Sequence, residues 1–189
     1  MFSALLTGCV SNRDPRVSEL EALADSIAVQ QALLNEPATE RVAEAATWAE
    51  NNLREFELLL EGGFVTVSKA EGEIISDVSR ARRLLKDQTK RRNSLPKSAA
   101  RAMKQLRGLA QAISSGAAQD ATGAAIDSAY IVREVQTELG IGRDMIQALS
   151  ETQSLAVRGI ALWEKTAARS DSLQTVCRAR LAEALIDGE

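Results

Sequence analysis

The sequence predicts an all-α protein, and three observations carry that expectation. Alanine supplies 31 of the 189 residues, while proline supplies three and the aromatics together six. Alanine is the best helix former and proline the strongest breaker, so this composition favours long helices. Apolar residues recur at steps of three and four through most of the chain, which collects them on one helical stripe. Runs of β-branched and aromatic residues of the kind strands use are scarce. A chain of about 150 residues or more buries roughly 70% of its unfolded surface, so a core can form without metals or disulfides.

Helix one follows Asp14 and Pro15, a capping residue and a first-turn proline, and its stripe reads Val17, Leu20, Ala24, Ile27, Gln31 and Leu34. Asn35, Glu36 and Pro37 stop it. Helix two carries Val42, Ala45, Ala49, Asn52, Phe56 and Leu59, and ends at the paired Gly62 and Gly63. Helix three spans residues 64–92 on Val67, Ala70, Ile74, Val78, Ala81 and Leu85, and breaks at an elbow containing Pro96. Helix four carries Ala99, Met103, Leu106, Ala110 and Ile113 as far as Ser114, Ser115 and Gly116.

Residues 117–129 are nearly all small, which reads as a helix packed closely on a neighbour, with fraying as the alternative. Ile131, Val132, Val135 and Leu139 define helix five, and Gly140 and Gly142 permit a turn. The last helix keeps Met145, Leu149, Thr152, Ala156, Ile160, Trp163, Ala167, Ser170, Gln174, Cys177 and Leu181 on one side. At roughly 60 Å, taking 1.5 Å per residue, it needs a long partner, and helix three is the candidate. The expected architecture is an elongated antiparallel bundle of five to six helices with a long C-terminal helix, forming one domain over residues 16–189. Trp48 and Trp163 lie on stripes and read as core.

The chain contains no histidine. Imidazole is the commonest general base and a leading metal ligand, so His-dependent triads, HExxH zinc sites and Glu-x-x-His di-iron sites are excluded. No Gly-rich phosphate loop or nucleophile elbow occurs either. The expectation is a protein that is not an enzyme and carries no cofactor or metal, with carboxylate or lysine chemistry the only catalytic route left open.

Leu6, Thr7, Gly8 and Cys9 follow Phe2, Ala4 and Leu5, and Val10, Ser11, Asn12, Arg13, Asp14 and Pro15 make a polar continuation. This pattern resembles the lipobox of bacterial lipoproteins. The resemblance implies cleavage before Cys9, acylation of its sulfur and new amino group, a signal remnant over residues 1–9 and a tether over 10–15. Val10 after the cysteine, where that family uses Asp for inner-membrane retention, implies the outer membrane. Only eight residues precede Cys9 and none is basic, so the resemblance further implies that Met1 is an internal methionine of a longer signal. Without it, Phe2, Leu5 and Leu6 read as an N-terminal segment packing on the bundle. Cys177, beside Leu173 and Val176, reads as a small buried hydrophobe, with a disulfide to Cys9 as the alternative.

Charge is strongly segregated. Residues 1–79 carry a net −9, residues 80–107 a net +10 and residues 108–189 a net −4. The basic set is Arg80, Arg82, Arg83, Lys86, Lys90, Arg91, Arg92, Lys97, Arg101, Lys104 and Arg107, interrupted only by Asp87. Around a Pro96 elbow these residues would converge on one end of the bundle as an anion-recognition tip. The competing reading neutralises them with Glu40, Glu44, Glu50, Glu55 and Glu57 of helix two. Nucleic acid is the weaker candidate partner, because no aromatic lies between Arg80 and Arg107 to stack on a base and the pI is about 5.3.

Two functions follow. One is a periplasm-facing adaptor or structural protein, membrane-bound through a lipid at Cys9, that binds another protein or an anionic envelope polymer. The other is a cytosolic interaction or signalling protein whose basic elbow docks an acidic partner or nucleic acid.

Overall fold

A computed structural model describes residues 14–120 and 123–187. Cys9, the lipobox-like pattern and most of the tether lie outside the described residues. Among those described, the regular structure is helical: α1 (Pro15–Leu33), α2 (Thr39–Leu60), α3 (Lys69–Leu85), α4 (Gln88–Ser115) and α5 (Ser128–Asp187), with a 3-10 turn at Glu61–Gly63. The protein is an all-α bundle with a long C-terminal helix. None of these helices is long and apolar enough to cross a membrane.

Two compact units form. One comprises the described residues up to Val29 together with Ser98–Gln147, the other Gln30–Lys97 together with the chain from Ala148 onward. In the first, Asp14 caps α1 as expected, its Oδ1 accepting from the Arg16 backbone N–H at 2.9 Å. Its buried apolar residues include Val17, Leu20 and Ala24 of α1, Ala102, Leu106 and Ala110 of α4, and Val135 and Leu139 of α5.

Gly140 and Gly142 make no turn, so the expected helices five and six are one. Gly142 is buried where two leucines close on the helix backbone. A Cβ built there would stand 2.4 Å from Leu23 Cδ2 and 3.3 Å from Leu106 Cδ1. The glycine therefore serves close approach, not chain reversal.

Small residues after Ser115 do not form the expected packed helix. They make a loop with an antiparallel bridge, Gln119 to Ala125, and Gly116 and Gly123 take φ of 64° and 87°. The left-handed region at two glycines stops helix propagation. Asp120 fixes the loop, its Oδ1 accepting from the Ala124 N–H and its Oδ2 from the Tyr130 hydroxyl, at 3.0 and 2.9 Å.

In the second unit α2 buries Val42, Ala45, Ala49, Asn52, Phe56 and Leu59, the stripe the spacing predicts. It runs parallel to α5 at a nearly fixed sequence offset. Arg41 pairs with Glu164, 123 residues on; Asn52 binds Gln174, 122 residues on; and Glu55 pairs with Arg178, again 123 residues on. The third helix packs antiparallel to both, with Arg82 pairing Glu50 of α2, while Glu71 near its start pairs Arg180 and Leu85 at its end covers Gly159. Helix three and the C-terminal helix thus lie together, as their stripes require. Phe56, Leu59, Val65, Val78, Leu173 and Cys177 make one core cluster, with Trp48 against it, and Trp163 packs on a second. Cys177 is fully buried and free, and burial pushes its thiol pKa up, as expected for a small hydrophobe.

The start of α3 is Lys69, not residue 64, because Ser68 and Glu71 form a reciprocal capping box. The Ser68 backbone N–H donates to Glu71 Oε2 at 2.7 Å, and the Glu71 N–H donates to Ser68 Oγ at 3.3 Å. Hydrogen bonds from the Arg180 guanidinium and from Ser68 hold the Glu71 carboxyl down at about 2, against an ordinary 4.5. A carboxyl lowered by folding contributes stability that is complete above its unfolded pKa and fades as pH falls toward its folded one. Glu71→Gln should therefore melt below wild type at neutral pH, and the gap should narrow steadily from about pH 4.5 to about pH 2. Melting curves of both proteins across that range check it, and a pH-independent gap would contradict it.

Candidate functional site

The basic block is not arranged around a Pro96 elbow. Pro96 lies inside α4, and α3 ends at Leu85, seven residues before its expected end. The helix breaks at Lys86 and Asp87, where Asp87 takes φ of 59° and its carbonyl accepts the first helical bond of α4, from the Arg91 N–H at 2.9 Å. Aspartate tolerates the left-handed region because its short polar side chain can bond locally. Pro96 has no N–H to complete the helical bond to Arg92, so α4 continues past it with one bond missing.

Arg92 is a second correction. Instead of facing an anionic partner it is 5% exposed, and its Nη1 donates to the carbonyls of Leu34 and of Pro37, the latter at 2.9 Å. It ties α4 to the loop between α1 and α2, and burial lowers its pKa. Its Nε and Nη2 have no protein partner.

Other members of the block divide by pairing. Arg80 pairs with Asp77 at 3.5 Å, Arg82 with Glu50, and in the other unit Arg107 with Asp25 at 3.0 Å. Arg83, Lys86, Lys90, Arg91, Lys97, Arg101 and Lys104 are exposed and have no ion pair among the described residues. Of the five helix-two acids that could neutralise the block, only Glu50 pairs with it; Glu55 is taken by Arg178. Internal neutralisation is therefore partial. Arg101, Lys104 and Arg107 belong to the other unit, apart from the cations before Ser98.

A cleft of about 470 Å³ lies at the Lys86–Asp87 break. Its walls are Ala46 and Glu50 from α2, Arg82, Arg83 and Leu85 from α3, the turn residues themselves, and Gln88, Thr89 and Lys90 from the first turn of α4. Arg82 and Glu50 satisfy each other, and this hydrogen bond lowers the Glu50 pKa. Arg83, Lys86 and Lys90 against the single carboxylate of Asp87 leave two net positive charges. First-turn N–H groups of α4, which have no partner within a helix, add positive potential.

Sequence reasoning missed Gln88. This residue is 1% exposed, its Nε2 donates to the Leu84 carbonyl at 3.3 Å, and its Oε1 has no protein partner. Nothing in the sequence marks it, because a lone glutamine among seven nearby cations reads as surface. Asp87, the only acid in the run, was the available signal for the turn.

A second cleft, of about 490 Å³, lies in the other unit and includes Gln105, Asp120, Tyr130, Glu134 and Glu138. Burial, then Glu134, raises the Glu138 pKa, and the hydrogen bond to Asp120 raises that of Tyr130. No cluster of acids or cysteines suited to holding a metal occurs among the described residues. No protein-family profile, curated protein or solved structure matches the chain.

Proposed function

We propose that the protein is a lipid-anchored binding protein rather than an enzyme, attached through Cys9 at the periplasmic face of the outer membrane and capturing an anionic envelope component. The observation that carries this reading is the exposed cation group at the α3–α4 break, Arg83, Lys86, Lys90 and Arg91, left without carboxylate partners by a fold that pairs Arg80 and Arg82. Solvated lysines and arginines are ordinary on a helix, but a concentration of unpaired positive charge beside a cleft attracts anions and speeds their capture. The anchor rests on the Leu6, Thr7, Gly8 and Cys9 pattern. Two acyl chains give stable membrane attachment where one gives marginal binding.

Retention of the full chain on an immobilised polyphosphate resin tests the binding. Wild type should be held at about 50 mM salt and released near 300 mM, since screening shortens the Debye length below about 10 Å. Arg83→Gln/Lys86→Gln/Lys90→Gln/Arg91→Gln should pass through at both, with helicity unchanged. Equal retention of the two proteins would overturn the reading, and retention only by an acidic protein surface would redirect it. For the anchor, a palmitate analogue should label wild type expressed in a bacterial host behind a lipoprotein signal and not Cys9→Ser; equal labelling would exclude lipidation there.

A further inference from the structure

We infer that the cleft at the Lys86–Asp87 break receives the Glu61–Phe64 turn of a second copy of the chain, so that copies assemble tip to cleft. The tip is the last turn of α2 with the 3-10 turn that follows it. Leu58 and Phe64 are 62% and 59% exposed there. Because α2 and α5 run parallel, the last turn of α5 brings Leu185 and Ile186, also exposed, to the same end of this unit. Single exposed apolar residues are ordinary, but several at one place with charges around them mark a surface that another molecule covers. Phe64 is also held in position. Its ring lies over Gly62, where a Cβ would stand 2.8 Å from Cε2, and Gly62 and Gly63 take φ of 83° and 73°. A ring already fixed where it is exposed loses little freedom on docking.

Charge identifies the occupant. No Lys or Arg lies between Arg54 and Lys69, whereas Glu57 and Glu61 are exposed and have no ion pair among the described residues. The cleft is the counterpart: Arg83, Lys86 and Lys90 against Asp87 leave two positive charges beside an apolar wall of Ala46 and Leu85. An apolar ring flanked by carboxylates thus meets an apolar wall flanked by cations. Two tips repel each other, as do two clefts, so the contact joins unlike surfaces and propagates from copy to copy. A chain cannot fill its own cleft, because the 17 residues of α3, about 25 Å at 1.5 Å per residue, separate Phe64 from Lys86. At about 470 Å³ the cleft has room for a phenyl group. The cations are those of the anion capture proposed above, so a bound polyanion and a docked copy exclude each other; the tip has no part in that capture.

Sedimentation equilibrium of the full chain at about 50 mM salt, over roughly 10–300 μM, tests this, since a contact of this size belongs to the weak, transient class. The average mass of wild type should rise with concentration past that of a dimer, and fall back about threefold or more in apparent affinity near 300 mM salt. Glu61→Lys/Phe64→Ala removes the tip and Lys86→Glu/Lys90→Glu reverses the cleft. All four positions are exposed, so helicity and melting should not change, and each variant alone should be monomeric. Each keeps the surface the other lacks, so an equimolar mixture should form a heterodimer and stop there. On the polyphosphate resin the tip variant should behave as wild type and the cleft variant should pass through, and soluble polyphosphate should dissociate wild-type assemblies. A monomeric wild type, a mass that stops at the dimer, association that survives either pair of substitutions, or a mixture that stays monomeric overturns the inference. Failure of wild type to bind the resin, with assembly and the heterodimer intact, overturns the proposed function and upholds the tip-to-cleft contact.

Discussion

Phe56→Ala should lower the unfolding free energy by about 3–5 kcal/mol, the range for removing a large aromatic from a packed core. Phe56 is 1% exposed and sits in the cluster with Leu59, Val78 and Leu173 from three different helices. Its removal leaves a cavity that all three must collapse into, and ridges of packed side chains relax only in part. Single domains hold about 5–15 kcal/mol in total, so the variant should lose about a fifth or more of its margin. Phe64 supplies the control. It is eight residues on and 59% exposed, so Phe64→Ala should cost less than about 1 kcal/mol. Urea midpoints of the two variants, with unchanged slopes, check the contrast. Similar losses from both would show that the α2 stripe is not the core of its unit.

That stripe was fully legible in the sequence, and the reason is physical. Helix two has no Gly or Pro between Thr39 and Leu60, and one face of it is apolar except for Asn52. Where helices failed to end as expected, the deciding interaction was distant in sequence. Gly142 reads locally as a turn residue, but its lack of a side chain is used by Leu23 and Leu106, more than thirty residues away. Pro96 reads as a breaker, but a proline costs a helix one hydrogen bond and a carbonyl clash, about 3 kcal/mol, and the surrounding packing of α4 outweighs it. In contrast, Ser68 and Glu71 carried a readable capping box that the apolar periodicity from Phe64 onward obscured.

The candidate site was legible as charge and illegible as geometry. Eleven cations in 28 residues are plain in the sequence, but which of them stay free depends on which carboxylates α2 brings within reach. Arg92 shows how far composition misleads. An arginine flanked by Arg91 and Asn93 looks exposed, and only the packing of α4 against the Leu34–Pro37 segment reveals a guanidinium bound by two carbonyls. Gln88 is buried by the same turn that exposes Lys86 and Lys90 beside it, one helical step from each other's environment.

Asn52→Leu should cost about 2 kcal/mol or more even though it adds apolar volume to a core position. Asn52 Oδ1 accepts from the Ser170 hydroxyl at 2.8 Å and from Gln174 Nε2 at 2.9 Å, and its Nδ2 donates to the Trp48 carbonyl at 3.0 Å. Leucine strands both α5 donors in a buried setting, at about 1–3 kcal/mol for each buried group left unpaired. Replacing the whole set by apolar residues removes that penalty, so Asn52→Leu/Ser170→Ala/Gln174→Leu should return to within about 1 kcal/mol of wild type. The use of the network then lies in register. Apolar stripes on parallel helices permit a slip of one turn at modest cost, whereas Asn52 finds both donors in only one alignment, the one that also pairs Arg41 with Glu164 and Glu55 with Arg178. The triple variant should accordingly keep its helicity and urea midpoint but lose near-ultraviolet ellipticity from Trp48 and Trp163, the two tryptophans on the cores beside this seam. A triple variant as unstable as the single one would show that shape, not hydrogen bonding, sets the cost at Asn52, and an unaltered tryptophan spectrum would show that the salt bridges hold the register without it.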